Sequence, residues 1–118
     1  MKTIRTLLAA TVLALPAAAF AAGAIAVDDE VGERDPGYGY SIIHKSRDAA
    51  ARDAVRLCRR SGNDSCKVVA RFDACGAYAS ARKYAGAGWG ETKRDAVRMA
   101  LKKCGHERCK VHVAVCNG

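Results

Sequence analysis

Six cysteines, Cys58, Cys66, Cys75, Cys104, Cys109 and Cys116, are confined to the later part of a 118-residue chain, and what they become depends on where the chain goes. Its N-terminus runs from a short basic region, Met1 to Arg5, through an apolar run, Thr6 to Leu15, to Pro16 and an alanine-rich stretch ending in Ala19-Phe20-Ala21. That is the layout of a secretory signal peptide over residues 1–21. The apolar core is about half the length a membrane span needs, and small residues at 19 and 21 suit cleavage before Ala22. No cysteine lies near this junction to take a lipid, and no later stretch reads as a transmembrane segment. A soluble product in the periplasm or the medium is expected. In an oxidising compartment, an even set of cysteines reads as three disulfides. The competing reading is zinc, since Cys104-Gly105-His106-Glu107-Arg108-Cys109 offers thiolates and an imidazole in one loop. Structural zinc ligands usually come in tighter pairs, so neither a metal nor a cofactor is assigned.

Residues 22–118 are one domain's worth of chain, and losing Lys2 and Arg5 lowers the formal charge only from +8 to +6. At this size about two thirds of the unfolded surface is buried on folding. The apolar residues are mainly alanine and valine, which bury little area each, so the cross-links supply stability the core lacks.

The domain reads as two copies of one unit, spanning 23–75 and 76–116. Gly23-Ala24-Ile25-Ala26 resembles Gly76-Ala77-Tyr78-Ala79, and Gly37-Tyr38-Gly39-Tyr40 resembles Gly86-Ala87-Gly88-Trp89. A helix follows in each, ending at Cys58 or Cys104. Then come Cys66-Lys67-Val68-Val69 or Cys109-Lys110-Val111-His112, and a closing Cys75 or Cys116. The helices show buried stripes at Ala51, Ala54, Val55 and Cys58, and at Val97, Ala100, Leu101 and Cys104. Ser46 and Thr92 stand as N-caps, with Asp95 completing a capping-box pattern, so helices start near Arg47 and Lys93 and stop at Gly62 and Gly105. Tyr40 and Trp89 read as equivalent core anchors.

Alternation in the following strands places Cys66, Val68, Ala70 and Phe72 on one face, and Cys109, Val111, Val113 and Val115 on its counterpart, with Cys75 and Cys116 opposite. On that sorting the helix cysteines meet the core-facing ones, giving Cys58–Cys66, Cys104–Cys109 and Cys75–Cys116. The crossed variant, Cys58–Cys109 with Cys66–Cys104, obeys the same rule and stays open. Each unit is strand, glycine-rich strand, helix, strand. Two of them predict an α+β domain, with two helices packed on a mostly antiparallel sheet and stapled by disulfides.

With Gly-Ala-x-Ala, Gly-Tyr-Gly-Tyr-Ser, Cys-Lys-Val-Val, Phe-Asp-Ala-Cys-Gly-Ala-Tyr-Ala and Gly-x-Gly-Trp-Gly-x-Thr in place, the chain resembles a bacterial family of small exported proteins, domain-of-unknown-function family 4189. The resemblance runs from Gly23 to Cys116. It implies an exported, cysteine-rich bacterial domain and brings no catalytic residue or ligand with it.

His44, His106 and His112 have no serine or carboxylate at a spacing specific to a catalytic arrangement, so no catalytic residue is assigned. Asp28, Asp29, Glu30, Glu33 and Asp35 could gather around calcium, but they lack the ordered alternation of a calcium loop and read as a solvated surface link from Asp28 to Pro36. Gly86 to Gly90 runs into a helix start, where an anion could bind. Its match in the first copy argues instead for positive φ or close backbone approach. The strongest functional signal is basic: Arg47, Arg52, Arg56, Arg59 and Arg60 on the first helix, and Lys93, Arg94, Arg98, Lys102 and Lys103 on the second, with Arg52, Arg56, Arg59, Arg98, Lys102 and Lys103 as the candidate binding residues. Side by side, the two helices would make one positive surface for an acidic protein or an anionic envelope polymer. Nucleic acid is disfavoured, because aromatics do not interleave with the charges. The expectation is an exported, non-catalytic interaction protein, such as an inhibitor, an immunity-type partner or a secreted effector. The alternative is a small hydrolase or redox enzyme.

Overall fold

A computed structural model describes residues 21–32 and 34–118; the signal-peptide reading of residues 1–20 and the acidic residue Glu33 lie outside the described residues. The element order is β1 (Ala22–Asp28), β2 (Gly37–His44), α1 (Arg47–Arg60), β3 (Lys67–Phe72), β4 (Cys75–Ala81), β5 (Tyr84–Gly90), α2 (Lys93–Cys104) and β6 (Lys110–Cys116). The fold is α+β, as the sequence predicts. Its strands form two three-stranded antiparallel sheets, β2-β1-β3 and β5-β4-β6, where one sheet was expected.

The two central strands explain the layering. In β1, Ala22, Ala24 and Ala26 pack with Ala50, Ala51, Ala54 and Cys58 of α1, while Ile25 and Val27 turn the other way. In β4, Cys75, Ala77 and Ala79 pack with Ala96, Ala100 and Cys104 of α2, while Tyr78 turns the other way. The faces turned away from the helices meet, and Ile25, Val27, Ala70, Phe72, Tyr78 and Val113 form the core between the sheets. The order of layers is therefore α1, sheet, sheet, α2, with each helix on an outer face.

Both helices begin where the caps place them. Ser46 Oγ accepts from the Ala49 amide and Thr92 Oγ1 from the Asp95 amide, each at 3.1 Å. Gly105 closes α2 in the left-handed region at φ 70°, and Gly62 follows the Ser61 C-cap of α1 at φ 95°. The buried stripes are rotated from those expected. Ala50, Ala54 and Cys58, with Ala96, Ala100 and Cys104, are fully or nearly buried, while Val55 is half-buried and Leu101 is 37% exposed. The cause is close approach to glycine. A Cβ on Gly39 would strike the Cys58 amide nitrogen and the Ala54 carbonyl oxygen, and one on Gly88 would strike the Ala96 carbonyl oxygen and the Ala100 nitrogen. Helix backbone thus rests on strand backbone, and only alanine and cysteine fit the seam. The glycine runs serve this seat. Tyr40 and Trp89, expected as core anchors, are 41% and 45% exposed.

The disulfides are Cys58–Cys66, Cys104–Cys109 and Cys75–Cys116, the pairing favoured from sequence, and the crossed variant does not occur. The alternation used to reach it needs correction. A β-bulge at Val69 (Ala26 opposite Val68, Ile25 opposite Ala70) and another at His112 (Ala79 opposite Val111, Tyr78 opposite Val113) each insert one residue and switch faces. Cys66 and Val68 therefore face α1 while Ala70 and Phe72 face the inter-sheet core. Cys109, Val111 and Cys116 all face α2, whereas Val113 and Val115 do not. Cys75 opens β4 directly opposite Cys116, so this bridge joins neighbouring strands of the second sheet.

Candidate functional site

The two sets of basic side chains are not brought together: α1 and α2 lie on opposite outer faces, so the single positive surface that would follow from side-by-side helices does not form. Arg52, Arg56 and Arg59 are exposed on one face, and Arg98, Lys102 and Lys103 on the other. Their surroundings differ as well. On α2, Arg98 reaches Asp95 at 3.8 Å and the Lys103 ammonium stands 4.3 Å from the centre of the Trp89 ring, a cation–π contact. On α1, Arg56 pairs with Asp53, while Arg52, Arg59 and Arg60 make no ion pair among the described residues.

Beside α1 these arginines border a groove of about 620 Å³ with an apolar floor of Ala51, Val55 and Val68 and a rim of Arg52, Arg56, Arg59 and Arg60. The local sequence makes it. With Ala50, Ala54 and Cys58 drawn onto the glycine seat, the next residues round the helix, Ala51 and Val55, are small and leave a hollow against Val68 of β3. In the second half the equivalent positions, counted from the N-caps, hold the larger Val97 and Leu101, and Arg59 and Arg60 have Gly105 and His106 as counterparts. Sequence reasoning found Arg52, Arg56, Arg59 and Arg60 on the basic face but not the apolar floor. The clue to the floor was the smaller residue at each position of the first helix.

Asp53 anchors this helix to the sheet. His44 Nε2 lies 3.0 Å from its Oδ2, and with the Arg56 guanidinium first and His44 next, the Asp53 carboxyl is held below its ordinary value of 3.8. His44 is thereby tied to a structural carboxylate. His106 stacks on Tyr84 with ring centres 4.5 Å apart, and its Nδ1 accepts from the Arg108 amide at 3.0 Å.

His112 has different company. The bulge aims it at Ser80, and Ser80 Oγ and His112 Nε2 are 2.9 Å apart. Both line a polar cleft of about 580 Å³, where the β1–β2 connection lies against the β4–β5 turn and the start of β6. Tyr78 lines it too; this residue is 2% exposed, and its hydroxyl makes no well-formed hydrogen bond, although the Ser80 side chain bears on it. Burial, with Asp29 adding to it, raises the Tyr78 phenol above 10.0, and the nearby Ser80 hydroxyl offsets part of the rise. No spacing signal foretold the Ser80–His112 pair, because it forms through strand register and a bulge.

The acidic connection lies at the surface as expected, with Asp29, Glu30, Arg34 and Asp35 exposed, and it is also tied down. Asp28 is buried and accepts from the Glu30 and Ser65 amides at 3.0 and 3.1 Å, with Ser65 the larger cause of its lowered pKa. Asp29 pairs with Lys67 at 3.4 Å and Asp35 with Lys110 at 3.2 Å. These carboxylates fasten the connection across both sheets. Among the described residues, no three histidine, cysteine, aspartate or glutamate side chains gather closely enough to hold a metal ion, and no helix is long and apolar enough to cross a membrane. A family model described as a domain of unknown function (DUF4189) matches residues 22–116. No curated protein and no solved structure matches the chain.

Proposed function

The chain belongs to the DUF4189 family, whose description assigns no activity, and from its surfaces we propose that it is an exported, non-catalytic binding protein whose α1 groove takes an acidic segment of a partner protein. The observation that carries this reading is the joining of an apolar floor, Ala51, Val55 and Val68, to a rim of four arginines, of which, among the described residues, only Arg56 has a carboxylate partner. Guanidinium forks match carboxylates in bidentate geometry. The apolar floor favours a polypeptide, with leucine- or valine-sized side chains between its acids, over a wholly polar envelope polymer. Arginine-rich anchors around an apolar pocket are also where interface energy concentrates. Export to the periplasm or the medium fits the N-terminal leader pattern, the three disulfides and the basic charge.

A labelled peptide of alternating leucine and glutamate tests the reading by titration. Wild-type protein binds it with an affinity that falls as salt rises. Arg59→Glu with Arg60→Glu weakens binding by roughly tenfold or more, or about 1.4 kcal/mol, while Arg98→Glu with Lys102→Glu leaves it unchanged. Equal losses from both pairs would contradict the assignment to α1.

A second reading, a small hydrolase, has one observation in its favour, the nucleophile-to-base distance between Ser80 and His112. Among the described residues no carboxylate hydrogen-bonds His112 to orient it. Turnover of p-nitrophenyl acetate that disappears in Ser80→Ala would establish this reading, and equal turnover in both proteins would remove it. A redox form would have to work through exchange at one of the three disulfides, since all six cysteines are paired.

A further inference from the structure

Away from the α1 groove, the cleft over Tyr78 carries a second and independent site. Buried hydroxyls in folded proteins nearly always have a partner, and one without a partner calls for an explanation. The Tyr78 ring belongs to the inter-sheet core, packed with Ile25, Phe72 and Val113, which holds the phenol in place at the floor of the cleft. Tyr78 lines the cleft beside the Ser80–His112 pair, and its hydroxyl, buried at the cleft floor, makes no well-formed hydrogen bond. Ser80 and His112 also satisfy only part of their hydrogen-bonding capacity through each other. Three hydrogen-bonding side chains thus converge on one end of a cavity whose volume, about 580 Å³, falls in the range of small-molecule sites.

The mouth selects charge. Among the described residues, the two acidic side chains of the lining are engaged, Asp29 with Lys67 and Asp35 with Lys110. The cations of the mouth outnumber them, with Arg34, Lys83 and Arg108 adding positive charge. Lys83 is held at the tip of the β4–β5 turn at φ 70°, a conformation that costs a lysine energy. Next to it Tyr84, 45% exposed, offers an aromatic face whose ring is propped by His106. Hydroxyl-bonding groups at the floor, an exposed aromatic face on the wall and cations at the mouth suit one ligand chemistry.

We propose that this cleft binds a small anionic saccharide, a polyhydroxylated ring bearing a carboxylate or phosphate, with ring hydroxyls on Tyr78, Ser80 and His112 and the anion at Lys83 and Arg108. The carboxylate of a uronic acid and the phosphate of a sugar phosphate would meet the same cations. The proposal does not depend on the α1 groove, which lies on the other sheet.

The test is calorimetric titration of the purified protein with glucuronate, glucose 6-phosphate, neutral glucose and inorganic phosphate, repeated with Tyr78→Phe and with Lys83→Glu/Arg108→Glu. Tyr78→Phe removes one oxygen and keeps the ring in the core, so the variant folds, which its melting temperature verifies. The proposal expects at least one anionic sugar to bind more tightly than glucose and than phosphate. It expects a loss of tenfold or more in Tyr78→Phe without a lower melting temperature, and a similar loss in the charge-reversed pair. Binding that Tyr78→Phe leaves intact, glucose or phosphate binding as tightly as the anionic sugars, or no heat of binding from either anionic sugar would each overturn it. A negative result here leaves the peptide titration at α1 unaffected, so the two readings fail separately.

Discussion

In the first half of the molecule, α1 leaves Ala51 and Val55 under four arginines; in the second, Val97 and Leu101 occupy the same two positions of α2, and Arg98 and Lys103 are engaged by Asp95 and Trp89. The connections differ in the opposite sense. Residues 29–36 make a long polar link between β1 and β2, whereas Arg82 and Lys83 alone turn β4 into β5. The cross-links are uneven too. One disulfide serves the first half and two serve the second, because the ladder positions of Cys75 and Cys116 correspond to Ala22 and Asp73 in the first sheet. There Arg47 Nη2 lies 2.9 Å from each carboxylate oxygen of Asp73, and the Asn117 side chain donates to the Asp73 carbonyl at 2.8 Å. The same element order can thus be secured by covalent bonds on one side and polar contacts on the other. The half with fewer bridges keeps the open groove.

Breaking the bridges gives the largest effect. Replacing Cys75 and Cys116 by alanine opens the longest loop and should cost about 4 kcal/mol, against about 2 to 3 kcal/mol for Cys58–Cys66 or Cys104–Cys109. Denaturant unfolding of the three double variants measures this order, and equal losses would show that loop length does not govern it.

Next come the helix seats. Gly39→Ala and Gly88→Ala both press a Cβ into helix backbone, so each should cost about 3 kcal/mol. Gly62→Ala, in open space at φ 95°, should cost only about 1 kcal/mol. Similar losses at Gly39 and Gly88 would confirm that both helices are seated alike, and a loss at only one would break the comparison.

A smaller contrast depends on pH. Asp28 and Asp53, both in the first half, have folded pKa values below the ordinary 3.8. Their stabilisation is complete above that value and is lost as pH falls through the lower folded values, where the folded state must also take up protons. A variant with Asp28→Asn and Asp53→Asn should lose stability at neutral pH and show a flatter acid limb than wild type. The smallest effect has the opposite sign. Tyr78→Phe removes a buried hydroxyl that makes no well-formed hydrogen bond and should raise stability by about 1 kcal/mol.

Much of this scaffold is legible in the residues. Ser46 and Thr92 mark the helix starts, Gly62 and Gly105 the ends, and the recurring cysteines the element order. What stays hidden is the effect of a single inserted residue. At Val69 and at His112 a bulge flips the face of everything beyond it, so simple alternation sends Val113 and Cys116 to the wrong sides while still yielding the right bridges. The same bulge assembles Ser80 and His112, residues far apart in sequence with no spacing motif. Whether two helices share a surface or occupy opposite ones depends on how two sheets stack. Short alanine- and glycine-rich strands carry little periodic signal for that stacking. Residues such as Arg52 and Arg98 could therefore be named individually from sequence but not placed relative to each other.

The central claim is that α1 and not α2 presents the binding face. Amide chemical shifts recorded while the leucine–glutamate peptide is titrated into the protein test it most directly. The shifts should concentrate in residues 51–60 and around Val68, with α2 silent. Shifts spread equally over both helices, or gathered at Arg98 and Lys102, would contradict it.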